Sequence, residues 1–164
     1  MKLSPLIKGL ITGIVLLGLT LVYFYSKVPS NSPLQYVLYL VYAAGIAWTV
    51  IAYSRSEKYT GKFGDIFGQG FRCFIISTLL MTVFGGTFTT LHPEFAEQDA
   101  KLYKEYLDKE EKDKTPHEKD EMVANYKKYY TTRVVQGSIF GYLIPGVVFT
   151  LAGAGLLILK KKNP

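Results

Sequence analysis

Four long apolar runs divide this chain, each bounded by charge, proline or aromatic residues, and between the third and fourth the pattern changes to dense mixed charge. The runs cover residues 9–25, 34–53, 71–91 and 134–159, at or above the roughly 17 to 25 apolar residues that a membrane-crossing helix takes. The expected fold is therefore an all-α integral membrane protein. It has one membrane domain over 1–164, four transmembrane helices, and a charged helical hairpin over 94–133 between the third and the fourth.

The first run holds ten Leu, Ile, Val and Phe residues, which at about −0.5 kcal/mol each contribute on the order of −5 kcal/mol to insertion. Lys2 and Lys8 flank it on one side and Lys27 on the other, and Tyr23, Phe24 and Tyr25 make an interfacial aromatic end. Ser26-Lys27-Val28-Pro29 lacks a small-x-small cleavage pattern, so the segment reads as an uncleaved span. A short turn rich in Pro, Ser and Asn, 28–33, returns the second span antiparallel beside the first. In that span Tyr36, Tyr39 and Tyr42 recur at every third residue, an aromatic belt with helix packing rather than a ligand-stacking face.

Before the third span, Phe63, Ile66 and Phe67 share one helical face, while glycines at 61, 64, 68 and 70 argue against a rigid helix. A short interfacial helix entering the span at Phe71 is expected. Gly68 and Gly70 lack both the third glycine and the preceding strand of a dinucleotide-binding loop, which leaves close backbone packing as their job. The hydroxyls of Ser77, Thr78, Thr82, Thr87, Thr89 and Thr90 can bond back to carbonyls four residues earlier and make no pore by themselves. Pro93 ends the third helix and opens the next.

In the charged stretch, Ala96, Ala100, Tyr103 and Leu107 form one apolar stripe. A second helix opens with a capping box, Thr115 as N-cap and Glu118 reaching back, with Pro116 at the first helical position. Its stripe is Met122, Tyr126, Tyr129 or Tyr130, and Arg133. The stripes either face each other or lie on lipid headgroups. The second helix is expected to run on into the last span, where Gly137 and Gly141 repeat the small-xxx-small spacing of Gly9 and Gly13 and Pro145 implies a kink.

Charge sharpens this picture. Of thirteen acids, eleven lie between Glu94 and Arg133, so the net charge of +6 arises from short basic clusters at span ends. That segregation suits membrane flanks and argues against a nucleic-acid partner, which would need basic and aromatic residues interleaved on a soluble face. The density of Arg55, Lys58, Lys62 and Lys160 to Lys162 beside span ends puts both termini in the cytoplasm and the hairpin in the periplasm. Cys73 is alone, which excludes a disulfide framework and a thiolate metal site.

Phe67-Gly68-Gln69-Gly70-Phe71-Arg72 entering a span, Leu91-His92-Pro93-Glu94-Phe95 leaving it, a charged helical insertion and a glycine-rich last span ending in lysines together resemble a known family. It is the uncharacterised four-helix membrane family catalogued as domain of unknown function 4199, found mainly in Bacteroidota. The resemblance covers nearly the whole chain and implies a bacterial inner-membrane setting. It brings no catalytic or binding residues with it.

Candidate chemistry is thin. His92 with Glu94, His117 with Glu118 or Asp120, and Ser77 without a neighbouring histidine are the nearest approaches to an acid, base or nucleophile, and no HxxxH spacing joins the two histidines. No ionisable residue lies inside a span except Arg72 at an edge, which is unfavourable for ion coupling. The expected function is a non-enzymatic accessory or interaction protein without cofactor or metal. Its partners would be the bilayer and a membrane or periplasmic protein reached through the hairpin. The alternative is a small transporter or channel acting as a homo-oligomer.

Overall fold

The computed structural model describes residues 3–26, 28 and 32–162, so Lys2, Lys27 and the 29–31 part of the expected turn lie outside the described residues. Among the described residues the elements are all helices: α1 (Pro5–Tyr25), α2 (Gln35–Ser54), α3 (Phe63–Leu91), α4 (Glu94–Glu110), α5 (Pro116–Lys128) and α6 (Tyr130–Lys162). Four of these, α1, α2, α3 and α6, are long and apolar enough to cross a membrane. Their outer faces carry Ile14, Leu40, Val83 and Leu156 more than half exposed, a surface that a water-soluble bundle would bury.

Local sequence explains most boundaries. Ser4 caps α1 by accepting the Ile7 amide at 3.3 Å, with Pro5 in the first turn, where its missing N–H costs nothing. Gly61 is the one described glycine at positive φ, 72°, and it turns the chain into α3.

α3 departs from expectation, because it is one helix of 29 residues starting at Phe63 rather than a short interfacial helix joined to a span at Phe71. Each helical glycine costs about 1 kcal/mol relative to alanine. Here the tertiary contacts of Ile66, which is fully buried, and of Gly70, seated against Thr150, outweigh that cost. A second departure lies at Tyr129, which ends α5 at φ −101° before α6 begins at Tyr130, so the two helices are separated by one residue. The turn still closes, with the Arg133 amide donating to the Tyr129 carbonyl at 3.0 Å. α6 is assigned without a break through Pro145.

By its internal contacts the chain forms two compact units, Met1–Met81 with Ile139–Pro164, and Thr82–Ser138. In the first unit, close approaches give the helix directions. Gly9 and Gly13 lie against Cys73 and Ser77, so α1 and this part of α3 run parallel. Thr12 meets Gly45 and Lys8 lies over Trp48, making α2 antiparallel to α1, while Gly70 meets Thr150 and Gly146 meets Phe74, making α6 antiparallel to α3. The core cluster is Leu16, Leu38, Tyr42, Ile46, Phe74 and Met81.

Tyr42 is its centre and is fully buried. Its hydroxyl donates to the Tyr142 carbonyl at 3.0 Å and pairs with the Thr78 hydroxyl at 3.2 Å, joining α2, α3 and α6 by polar contacts inside an apolar core. Ser77 does the same for α1 and α3, donating to the Gly9 carbonyl at 2.8 Å. A smaller cluster of Val50, Ile66 and Ala154 extends the core towards the end that carries Arg55.

Candidate functional site

In the second unit, most of the chain's charge is organised by two helices. Apolar residues on α4 at positions 96, 100 and 107 are buried, and Tyr103 stacks on Tyr126 of α5 with ring centroids 4.5 Å apart and planes 19° from parallel. Tyr106 continues the stack on one side at 6.5 Å, and Tyr130 follows Tyr126 at 6.4 Å. It is therefore Tyr130 that continues the α5 stripe, while Tyr129 is exposed. The Arg133 guanidinium closes the row 4.7 Å above the Tyr126 ring, a geometry worth about 0.5 to 1 kcal/mol at an exposed site.

Ion pairs frame this seam. Lys127 reaches Glu97 at 2.6 Å, Lys104 reaches Asp120 at 2.7 Å and Lys119 reaches Asp108 at 3.3 Å. As the α4 number rises the α5 number falls, so the helices are antiparallel. Each partner helps hold the charged form: the Lys127 hydrogen bond keeps Glu97 below the ordinary carboxylate range, and Lys104 does the same for Asp120. Burial, with Asp99 nearby, pushes the Tyr126 phenol up. Except for Lys119, whose side chain is 13% accessible, the partners are at least half exposed and the pairs individually weak, so they fix register more than they stabilise.

α5 begins with the full capping box. The Thr115 amide donates to Glu118 Oε2 at 2.8 Å and the Glu118 amide donates to Thr115 Oγ1 at 3.3 Å, which holds the Glu118 carboxyl low as well. Pro93 precedes the first residue of α4, and the Phe95 amide donates to the His92 carbonyl at 3.2 Å across the corner. At this corner His92 Nδ1 meets Glu94 Oε1 at 2.8 Å, and this bond lowers the Glu94 carboxyl. Phe88 and Phe95 stack nearby at 6.0 Å.

Of the histidine pairs that were thin candidates in the sequence, His92 and Glu94 are together. His117 faces Glu121 at 3.7 Å instead of Glu118 or Asp120, because those two carboxylates are held by Thr115 and Lys104. Ser77 hydrogen-bonds the Gly9 and Cys73 carbonyls. Among the described residues, no cluster of three or more His, Cys, Asp or Glu side chains is arranged to hold a metal.

The small residues divide by environment. A Cβ added at Gly9 would fall on the Cys73 carbonyl, one at Gly13 would lie 2.8 Å from Leu80, and one at Gly70 would strike Thr150. Gly68 and Gly137 have nothing within 4 Å of such a Cβ, and Gly141 meets only the Tyr39 hydroxyl at 3.8 Å. The tight approach expected at Gly141 is made instead at Gly146, where a Cβ would lie 2.6 Å from the Tyr42 hydroxyl and 2.8 Å from the Phe74 ring. Gly45, against Thr12, is the other seat that sequence reasoning missed, and its spacing of four to Thr49 was the available signal.

A family model described as Protein of unknown function (DUF4199) matches residues 8–161, which takes in both the apolar helices and the charged pair. Neither the curated proteins nor the solved structures contain a match to this chain.

Proposed function

The chain belongs to the DUF4199 family, and from its own residues we propose that it is a non-enzymatic protein of a bacterial inner membrane that recruits a protein partner through a periplasmic hairpin, residues 94–133. The observation that carries this reading is an apolar pair on the outside of α4. Leu102 and Tyr106, one turn apart on a helix otherwise rich in charge, are 63% and 56% exposed although the inner face is already covered by α5. Exposed apolar and aromatic side chains ringed by charge are the composition of a contact patch, with Tyr able to supply contact area at low entropy cost. Capping, stacking and cross-helix ion pairs also favour an ordered recognition element over a spacer.

The orientation is supported by the basic residues at one end of the first unit. Lys8, Arg55 and Lys58 line one cavity there, and Arg55 and Lys160 line another, next to span ends where cations favour the cytoplasmic side.

A photoreactive residue at Leu102 in native membranes tests the proposal, with the same residue at Lys112 as control. One discrete protein should be captured from position 102 and not from 112, and Tyr106→Glu should abolish the capture. Capture of lipid alone would refute a protein partner. Crosslinks solely between copies of the chain would favour a homo-oligomer, as a small channel or transporter would require. In parallel, replacing residues 96–129 by a short Gly and Ser linker should remove the physiological activity while leaving the protein inserted.

A further inference from the structure

The basic end of the first unit encloses a cleft of about 980 Å³ whose walls come from α1, α2, α3 and the segment after α2. Lys8, Arg55, Lys58 and Arg72 all line it, against one acid, Glu57. Three of the four cations are exposed, but Lys8 is only 7% accessible. Its ammonium lies 5.3 Å from the centroid of the Trp48 ring, a contact that holds the side chain in the cleft wall. None of the ion pairs among the described residues involves Lys8, Arg55, Lys58, Arg72 or Glu57; they all lie between His92 and Lys127.

Four cations around one space make this cleft strongly electropositive. The Lys8 stem is packed away while its ammonium faces the cleft beside Trp48, and three further cations around the same space raise the potential there. Lysine is otherwise rarely buried unless paired. The lining suits an anion with several acceptor oxygens, since Arg55 and Arg72 present fork-shaped donors and Lys8 and Lys58 point charges. Sulfur and metal chemistry have no foothold in this lining, whereas phosphate matches the donors in both charge and geometry.

We propose that this cleft binds the phosphate of an anionic ligand, and that the ligand is a membrane lipid whose headgroup occupies it. The lining supports that source. Leu3, Pro5 and Ile51 add apolar surface beside the cations, and Ile51 and Trp48 are themselves exposed, so acyl-chain contact and phosphate contact are available in one place. Basic pockets between membrane helices bind anionic headgroups in this manner, each nearby cation adding to affinity. The lining takes no residue from α4 or α5, and the proposal stands whether or not the hairpin recruits a protein.

The test uses full-length protein purified in a zwitterionic detergent. Bound lipid is counted by native mass spectrometry as phosphatidylglycerol or phosphatidylethanolamine is titrated in, and the thermal unfolding midpoint is followed in the same titrations and with inorganic phosphate alone. Lys8→Met keeps the stem over Trp48 and removes the charge, Lys8→Arg keeps the charge, and Arg72→Gln changes an exposed side chain without disturbing packing. Phosphatidylglycerol should be retained selectively, with affinity falling about fivefold in Lys8→Met and in Arg72→Gln and holding in Lys8→Arg and in the remote control Lys112→Gln. Stabilisation by inorganic phosphate that is lost in the same variants, without selective lipid retention, would support the phosphate site and overturn the lipid as its source. Equal binding of every probe by the wild type, Lys8→Met and Arg72→Gln would overturn the site itself.

Discussion

Tyr42 shows how much one hydroxyl can organise in a membrane bundle. It lies six residues after Tyr36 and three after Tyr39 in the same helix, yet Tyr36 is 75% exposed and Tyr42 is fully buried with its oxygen between α3 and α6. Removing the oxygen by Tyr42→Phe should cost about 1 kcal/mol in detergent unfolding, a modest value because Thr78 can bond back along its own helix. Gly146 is where this hydroxyl and the Phe74 ring meet the α6 backbone, and no methyl group fits there without displacing one of them. Gly146→Ala should therefore lower the unfolding midpoint by the equivalent of roughly 1 to 3 kcal/mol. Gly137→Ala enters open space on the same helix and should be neutral or stabilising by up to about 1 kcal/mol. Equal losses at both glycines would mean that the Tyr42 hub does not set the α3 to α6 distance.

At the scale of elements, α4 and α5 depend on ionised carboxylates in a way the apolar helices do not. Glu97, Glu118 and Asp120 all have folded pKa values below their ordinary ones, so the folded state binds fewer protons than the unfolded state at acid pH. The stability this provides is complete above the ordinary carboxylate values of roughly 3.9 to 4.3 and is lost as pH falls through the lower folded values. Amide exchange in α4 and α5, corrected for the intrinsic rate, should stay flat from neutral pH to about 5 and rise below about 4. Exchange in the core of α3 should not follow that profile. A rise already at pH 6 would rule out these acids as the control. The seam also explains why α5 stops at Lys128: Tyr130 continues the tyrosine row and Arg133 caps it, so a one-residue offset at Tyr129 brings the start of α6 onto the same stripe.

The whole molecule has two chemistries. Four apolar helices expose large aliphatic side chains on their outer faces, as lipid demands, while the short charged pair exposes ions and, on α4, the apolar side chains of Leu102 and Tyr106. Under the proposed topology, a cysteine at Lys112 or Lys114 should react with an impermeant thiol reagent applied from outside the inner membrane. A cysteine at Lys58 should react only after permeabilisation. The reverse labelling would place the basic cleft outside and α4 with α5 in the cytoplasm, and each proposed partner would then have to be sought on the opposite side.

What the sequence determined by itself is what depends on composition and neighbours a few residues apart. Apolar length selects four membrane-competent helices, Thr115-Pro116-His117-Glu118 starts α5 through bonds that span three residues, and the 96, 100, 103 and 107 stripe follows from helical period alone. Residues that act across helices were beyond its reach. Nothing local separates Gly146 from Gly137, Tyr42 from Tyr36, or Lys8 from any other flanking lysine, because each is defined by atoms thirty or more positions away. The same holds for the glycine-rich start of α3, where intrinsic propensity argued for a break and burial of Ile66 and Gly70 kept the helix whole. Helical period and capping act through the chain's own backbone and can be read from it. Close packing and charge burial depend on which helices come together, and that was decided only when they did.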